Sequence, residues 1–395
     1  MGIVYAHPDG YLRLAGSGTP GAAWGGTSKV DAAGRAALHA ACVAAGQLTY
    51  VPSAATTGLL PGTAPGALVP FGDGTTEVAG TWGTSELSGR IVWGQLNPST
   101  SGQSSIVNSW IAGPRPDLVE SKPNSTGVVR EANNNVRVWR AKHCVFNVLA
   151  WCMPELNPPG GAWPLEEALF LLRNSIGIRG GRFQIENCDF QSIQDPFNIA
   201  VTLTSLTDDE LVTNGAYRRH NWFHQALFYQ GEGHSQPEGT HSDLTQWSRP
   251  QYLTDEYNLF GGPNGDVSGY LQDPARETSD GARNAGIMAQ QEDDRISGTS
   301  SPLAQVKNVV VRRNLFWQHP GNGYNINHHY KTTYPNAMAT VAFQDNLHVQ
   351  RADGQYVIAN LAQYGSRHSG HRIVSMNPAG TSWTDVGPVT VASGS

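Results

Sequence analysis

Between residues 220 and 257 the chain crowds hydrogen-bonding groups and rings into one short span. His220, His224, Tyr229, His234, His241, Asp243, Trp247, Tyr252 and Tyr257 all fall there. Aromatic faces beside carboxylates and imidazoles suit sugar rings: the apolar face of a sugar lies on the aromatic ring, and its hydroxyls meet the polar groups. His224, Tyr229, His241, Asp243, Trp247 and Tyr252 are the expected glycan contacts. Asp243 is the best polar contact and Trp247 the best stacking platform. Gly231, Gly233 and Gly239 mark a loop standing over a scaffold, and binding residues are commonly carried on such loops.

Catalysis would need more. Glycoside hydrolysis takes two carboxyl groups roughly 5–9.5 Å apart across the scissile bond. Asp189, Asp195 and Asp243 are the candidates, with Asp345 a further one. Stacked β-strands lie about 4.7–4.9 Å apart, so carboxylates on neighbouring coils of a solenoid would meet that spacing. Elimination of a uronic acid would instead need a cation against the substrate carboxylate and a nearby base. The richest acidic clusters, Asp208-Asp209-Glu210 and Glu292-Asp293-Asp294-Arg295, sit among Ser, Thr and Gly and read as solvated loops. A metal centre is not expected. His220 and His224 share a face only on a helix, and the stretch reads as strand. No cofactor is implied.

Composition excludes several classes. The 395 residues carry a formal net charge of -6, with only short basic pairs at Arg218-Arg219 and Arg312-Arg313. A nucleic-acid binder should show a basic stripe. No run of 18 apolar residues offers a membrane span. The segment Met1 to Tyr5 lacks the basic and apolar regions of a signal peptide, so synthesis in a cytoplasm is expected. Cys42, Cys144, Cys152 and Cys188 form no Cys-x-x-Cys pair, and Cys144 and Cys188 sit in apolar stretches, as buried free thiols do. Charged residues are 15% of the chain, against about 25% in an average soluble protein. With 45 Gly and 35 aromatic residues, this is a turn-rich chain with a core to bury.

The elements that must position these residues are short strands. Residues 1–30 are small and aperiodic and suit an attachment arm. Asp31 caps an Ala-rich helix that runs to Ala45, with Gly46 at its C-terminal stop. Leu48 to Val51 is a strand ended by Pro52. From about residue 85, β-branched and aromatic runs alternate with Gly, Pro, Asn and Asp. A weak repeat runs through them: Asn followed by apolar, any, and apolar or aromatic residues. It marks Asn187, Asn221, Asn314, Asn346 and, more loosely, Asn108, with His143 in the Asn place. Successive marks lie 35, 44, 34, 93 and 32 residues apart. Most follow a β-branched or apolar run such as Phe183-Gln184-Ile185. The expected unit is a coil in which a strand meets a corner turned by Asn, which tolerates left-handed geometry. Asn side chains would then stack from coil to coil. The 93-residue gap must hold unmarked coils, with Leu244 to Trp247 and Ala285 to Met288 as candidates.

Several segments carry a likeness to a known group. They are Pro52 to Thr63, Ser105 to Ile111, Phe183 to Phe190, Thr240 to Gln246 and Trp383 to Val389. Through them the chain resembles the right-handed parallel β-helix proteins of actinobacteria and their tailed bacteriophages. Leu244 replaces the glycine of that group's His-Ser-Asp-Gly turn. The resemblance implies an all-β, single-stranded, right-handed parallel β-helix of the pectate-lyase type. It would have an N-terminal arm and capping helix over 1–50, the solenoid over 51–375, and an exit strand and tail over 376–395. It further implies a minor tail protein, fibre or spike component of a virion. Such a protein would be a homotrimer, joined to other tail proteins through its N-terminal region and touching host-surface glycan. A polysaccharide lyase or glycoside hydrolase on the same scaffold is the alternative.

Overall fold

The computed structural model describes most strands and corners between residues 74 and 389. Also described are three short strands nearer the N-terminus. The longer connections, among them 116–126, 152–158, 164–175, 201–214, 224–242, 262–284 and 291–305, lie outside the described residues. So does the proposed helix at 31–45. In the N-terminal region, Val4–Ala6 pairs antiparallel with Leu12–Leu14 and parallel with Thr49–Tyr50.

From Gly74 onward the strands fall into three sheets of eleven, nine and nine strands. In each sheet a strand pairs with the strand three elements later, and every pairing but the last is parallel. That order is a parallel β-helix, as expected. One coil runs Phe183–Glu186, Asp189–Phe190, Asp195–Ala200. The next runs Ala216–Arg219, Trp222–Phe223, Gln246–Arg249, and the one after Leu253–Glu256, Leu259–Gly261, Ala285–Gln290. The eleven-stranded sheet is termed sheet I, the one beginning at Gly80–Trp82 sheet II, and the one beginning at Glu86–Ser88 sheet III. The segments expected to fill the 93-residue gap do so: both enter strands of sheet II. Among the described residues no helix is long and apolar enough to cross a membrane.

The passage from sheet III to sheet I takes one residue, Gly89, in the first described coil and two in each coil after it. Of the two, the first is held at positive φ: His143, Asn187, His220, Tyr257, Arg313 and Asp345 lie between 52° and 57°. The second is buried and reaches along the stack. Asn221, Asn258, Asn314 and Asn346 occupy this second place. Each side-chain oxygen accepts from the backbone N–H of the ladder residue one coil earlier, at 2.8–3.0 Å from Cys188 to Asn346. Each Nδ2 donates to a backbone carbonyl of the preceding coil, as from Asn314 to Asp255 at 2.9 Å and from Asn346 to Val311 at 3.0 Å.

Two corrections to the repeat follow. At Asn221, Asn314 and Asn346 the residue before the Asn turns the chain; only at Asn187, among the described marks, does the Asn itself turn it. Asn187 and His143 are turning residues, so their ladder neighbours are Cys188 and Cys144. The Cys144 thiol lies 3.5 Å from the Ile106 carbonyl, where an Asn amide would otherwise donate. Both cysteines are free and buried.

Inside, rings stack coil upon coil. Phe146, Phe190, Phe223, Phe260, Phe316 and His348 form one column with centroids 4.4–5.2 Å apart. Burying each Phe contributes about 1.5–3 kcal/mol. Period-two alternation in sheet III turns residues 141, 185, 218, 255 and 311 inward. Two of these are charged. Arg218 and Asp255 form a fully buried ion pair. Arg218 also donates to Thr245 Oγ1 at 2.7 Å and lies over the Phe197 ring at 4.6 Å, while Asn258 donates to Asp255 at 2.5 Å. Burial pushes the Asp255 carboxyl up and the Arg218 guanidinium down from their ordinary ranges; in each the partner opposes the shift.

Two outcomes are expected. Asn314→Ala strands the Asn258 N–H and the Asp255 carbonyl, and should destabilise the chain by about 3 kcal/mol at the scale of buried unsatisfied groups. A wild-type denaturation midpoint would show the ladder to be dispensable. Asp255→Ala leaves a buried guanidinium without its carboxylate and should cost about 3–5 kcal/mol. The double change Arg218→Met with Asp255→Leu should recover most of that loss in the same urea titration.

Candidate functional site

The outward residues of sheet III and its corner toward sheet I make a continuous polar face. Alternation turns two columns outward. One runs Arg140, Gln184, Tyr217, Thr254 and then the apolar Val310; the other runs Lys142, Glu186, Arg219, Glu256, Arg312, with one side chain per coil and Glu256 buried against Arg219 and Arg312. The left-handed corner adds a third: His143, Asn187, His220, Tyr257, Arg313, Asp345. Parallel, in-register pairing sets neighbours in each column about 4.8 Å apart along the stack.

Contacts within the face bind the columns together. Arg140 Nε donates to Gln184 at 2.9 Å, and Arg312 Nε to Glu256 at 2.8 Å. Arg219 approaches Glu256 at 3.9 Å and lies over the Tyr217 ring at 3.9 Å from its centroid. His220 stacks on Tyr257 with centroids 5.3 Å apart and planes 9° from parallel. Arg313 donates to the Tyr257 hydroxyl at 2.7 Å, which holds its guanidinium pKa up. Burial lowers the pKa of His220 and, with Lys142 beside it, of His143, so both rings favour the neutral form. Burial raises the Tyr217 phenol.

The expected contacts are distributed differently. Trp247 is 0% exposed and lies in the interior, 5.8 Å from Phe343 across the solenoid. It is therefore no surface stacking platform: its place in the strand has inward parity, shared with Thr245. Asp243 is 4% exposed and bridges to Ala285 in sheet II, so its carboxylate is not outward as the turn suggested. Tyr252 is half-buried at the far end of strand Leu253–Glu256 from Tyr257, also at positive φ, with Lys307 Nζ 5.7 Å from its ring centroid. His224, Tyr229 and His241 lie outside the described residues.

The candidate positions fall on two sheets, and two of them are neighbours along the stack. Asp189 belongs to sheet I and Asp195 to sheet II. Continuing the register from Asn198 and Gln246 sets Asp195 beside Asp243 on the next coil. The backbone spacing that hydrolysis would want is thus present, but Asp243 is turned away from solvent. Asp345 is exposed at the corner.

What sheet III offers chemically is recognition. Rings, guanidiniums and carboxylates recur at the coil spacing, close to the length of one sugar residue. Arg140, Lys142, Arg219, Arg312 and Arg313 outnumber Glu186, Glu256 and Asp345, a local excess of positive charge on a net-acidic chain. Tyr217 and Arg219 were missed in the sequence because attention to aromatic density pointed at the loop. The signal that finds them is alternation: count back one and three residues from each turning residue.

No family model matches the chain, and no curated protein matches it. Among solved structures it is similar to the tailspike protein gp49 of Acinetobacter baumannii bacteriophage Fri1, a capsular polysaccharide depolymerase. The two share 9% identity with a TM-score of 0.37, over 76% of this chain and 52% of that one. The chain spans about half the length of that protein.

Proposed function

We propose that this protein is a spike or fibre component of a bacteriophage tail that holds host-surface glycan along the outer face of sheet III. The observation that carries this reading is the row of outward side chains at coil spacing, with the His220–Tyr257 stack at its centre. The stacked imidazole and phenol turn their polar edges outward, where they can meet sugar hydroxyls, and Arg219 and Arg313 beside them suit acidic substituents. The resemblance of the turn and exit segments to phage β-helix proteins supports placement in the virion. A homotrimer joined to the tail through residues 1–50 fits the same reading. Polysaccharide cleavage is the second reading, favoured by the neighbouring positions of Asp195 and Asp243 and opposed by the burial of Asp243.

The test is binding of purified full-length protein to host cells and to an array of bacterial glycans. A ring lost from a sugar platform costs about 0.5–1.5 kcal/mol, a factor of about 2–12 in affinity. Tyr257→Ala should weaken binding by at least that factor without altering the circular dichroism spectrum, and His220→Ala should do the same to a lesser degree. Binding unchanged in both places host contact elsewhere. Release of reducing ends or unsaturated products, lost in Asp243→Asn, favours the second reading.

A further inference from the structure

At the C-terminal end of the solenoid the ring column and the amide ladder both pass into histidine. His348 takes the next place after Phe316, stacked at 5.2 Å and 8°. His371 takes the ladder place after Asn346. With His368 they form one hydrogen-bonded chain leading outward from the core. Asn325 Nδ2 lies 3.0 Å from His348 Nδ1, and His348 Nε2 lies 3.1 Å from His371 Nδ1. His371 Nε2 lies 3.4 Å from His368 Nδ1, and His368 Nε2 lies 3.0 Å from Ser366 Oγ. Asn325 and His348 are fully enclosed, His371 nearly so, and His368 is half-buried.

With the Asn325 amide nitrogen as donor at the inner end, one arrangement of protons satisfies the whole chain. An amide nitrogen can only donate, so His348 Nδ1 accepts and its proton sits on Nε2. That N–H meets His371 Nδ1, which must also accept, and the same step repeats at His368. All three rings are then neutral, with the hydrogen on Nε2. A further proton on His348 or His371 would put two hydrogens into one nitrogen–nitrogen or amide–nitrogen gap.

We propose that this imidazole chain is an acid-sensitive latch: it holds the terminal turn of the solenoid, strands Arg367–Ser369, Arg372–Met376 and Trp383–Pro388, while its rings are neutral, and releases that turn when they are protonated.

The surroundings agree. Phe316 and Asn325 face His348, and Phe343 stacks on His368 at 4.7 Å. The nearest carboxylate is Asp345, which favours a charged His371, as does the Phe343 backbone, but burial outweighs both and lowers His371 to about 4. Burial and the two neighbouring imidazoles push His348 well below its ordinary value. Arg367 is exposed, and Arg372 is engaged with Asp385 across the last strand pair at 2.5 Å. The sign is set by the lowered values. The opened turn binds protons that the closed turn refuses, so stability is complete above the ordinary histidine range, near pH 6.5, and falls as the pH drops from there toward 4. The opening constant should rise about tenfold per pH unit for each released ring in that window.

Amide hydrogen exchange of the full chain, corrected for the intrinsic pH dependence of exchange, tests this between pH 7 and 4.5. Protection over residues 366–388 should fall at least tenfold per unit below about pH 6, while strands from Phe183–Glu186 to Leu315–Trp317 keep theirs. The double variant His348→Phe with His371→Asn continues the ring column and the amide ladder by one coil, and its protection should stay flat with pH. Nitrogen NMR of the wild type at pH 7 should show His348 and His371 protonated on Nε2 alone, a readout that does not depend on any variant folding. An equal acid loss in the double variant, a loss spread evenly over the solenoid, or a proton on Nδ1 of either ring would overturn the proposal.

Discussion

The register of this solenoid depends on a two-residue corner between sheets III and I. A non-glycine residue at positive φ costs about 1–3 kcal/mol, and the stack accepts that cost at six successive coils. What sustains it is the buried residue that follows: a cysteine thiol at the first two of these coils, and at the next four an Asn whose amide bonds the preceding coil. Because the corner is two residues long in every described coil after the first, the phase of each sheet III strand dictates the phase of the sheet I strand after it. A slip of one residue would turn Phe190 and its stacked partners outward. The inward ring column, the outward polar face and the buried ion pair all inherit their positions from that constraint.

Much of the scaffold was legible in the sequence because the ladder demands a particular residue type. Asn221 and Asn314 are buried with both amide hydrogens engaged, Asn346 is buried and donates to the Val311 carbonyl, and few other side chains could serve there. Asn258 escaped notice because Tyr257-Asn258-Leu259-Phe260 follows the acidic run Asp255-Glu256 rather than an apolar one. Asn187 misled by one position: it belongs to the turning column, where a thiol follows. The site was harder to see. Trp247 and Asp243 lie in a segment dense with polar and aromatic residues, yet the parity of their strand turns them inward. Density in sequence says nothing of parity until the strand boundaries are known.

The turning residue, by contrast, is unconstrained by packing. His, Asn, Tyr, Arg and Asp all occupy it, because its backbone is held by neighbours and its side chain leaves the coil. The protein thus separates two tasks along adjacent positions, the first free to face a ligand and the second committed to the fold. At Gly370 a side chain in the first place would have to displace the Asp345 carboxylate. There φ is +69° and an added Cβ would stand 2.0 Å from Asp345 Oδ1.

The final pairing of sheet I runs the other way. Strand Trp383–Pro388 lies antiparallel to Arg372–Met376, against the polarity of every other pair in the three long sheets. A parallel coil carries its own template at each end, and an open end could recruit a second molecule rung by rung into a fibre. Reversing one strand spoils that template: the polarity, hydrogen-bond slant and side-chain phase presented to an incoming coil no longer match its own. Sheets II and III finish earlier, at Ile358–Ala359 and Arg367–Ser369, so the three edges are stepped rather than flush. The antiparallel pair, with Pro388 opposite Arg372, is thereby a polarity stop, making end-to-end polymerisation through this face of the stack unfavourable.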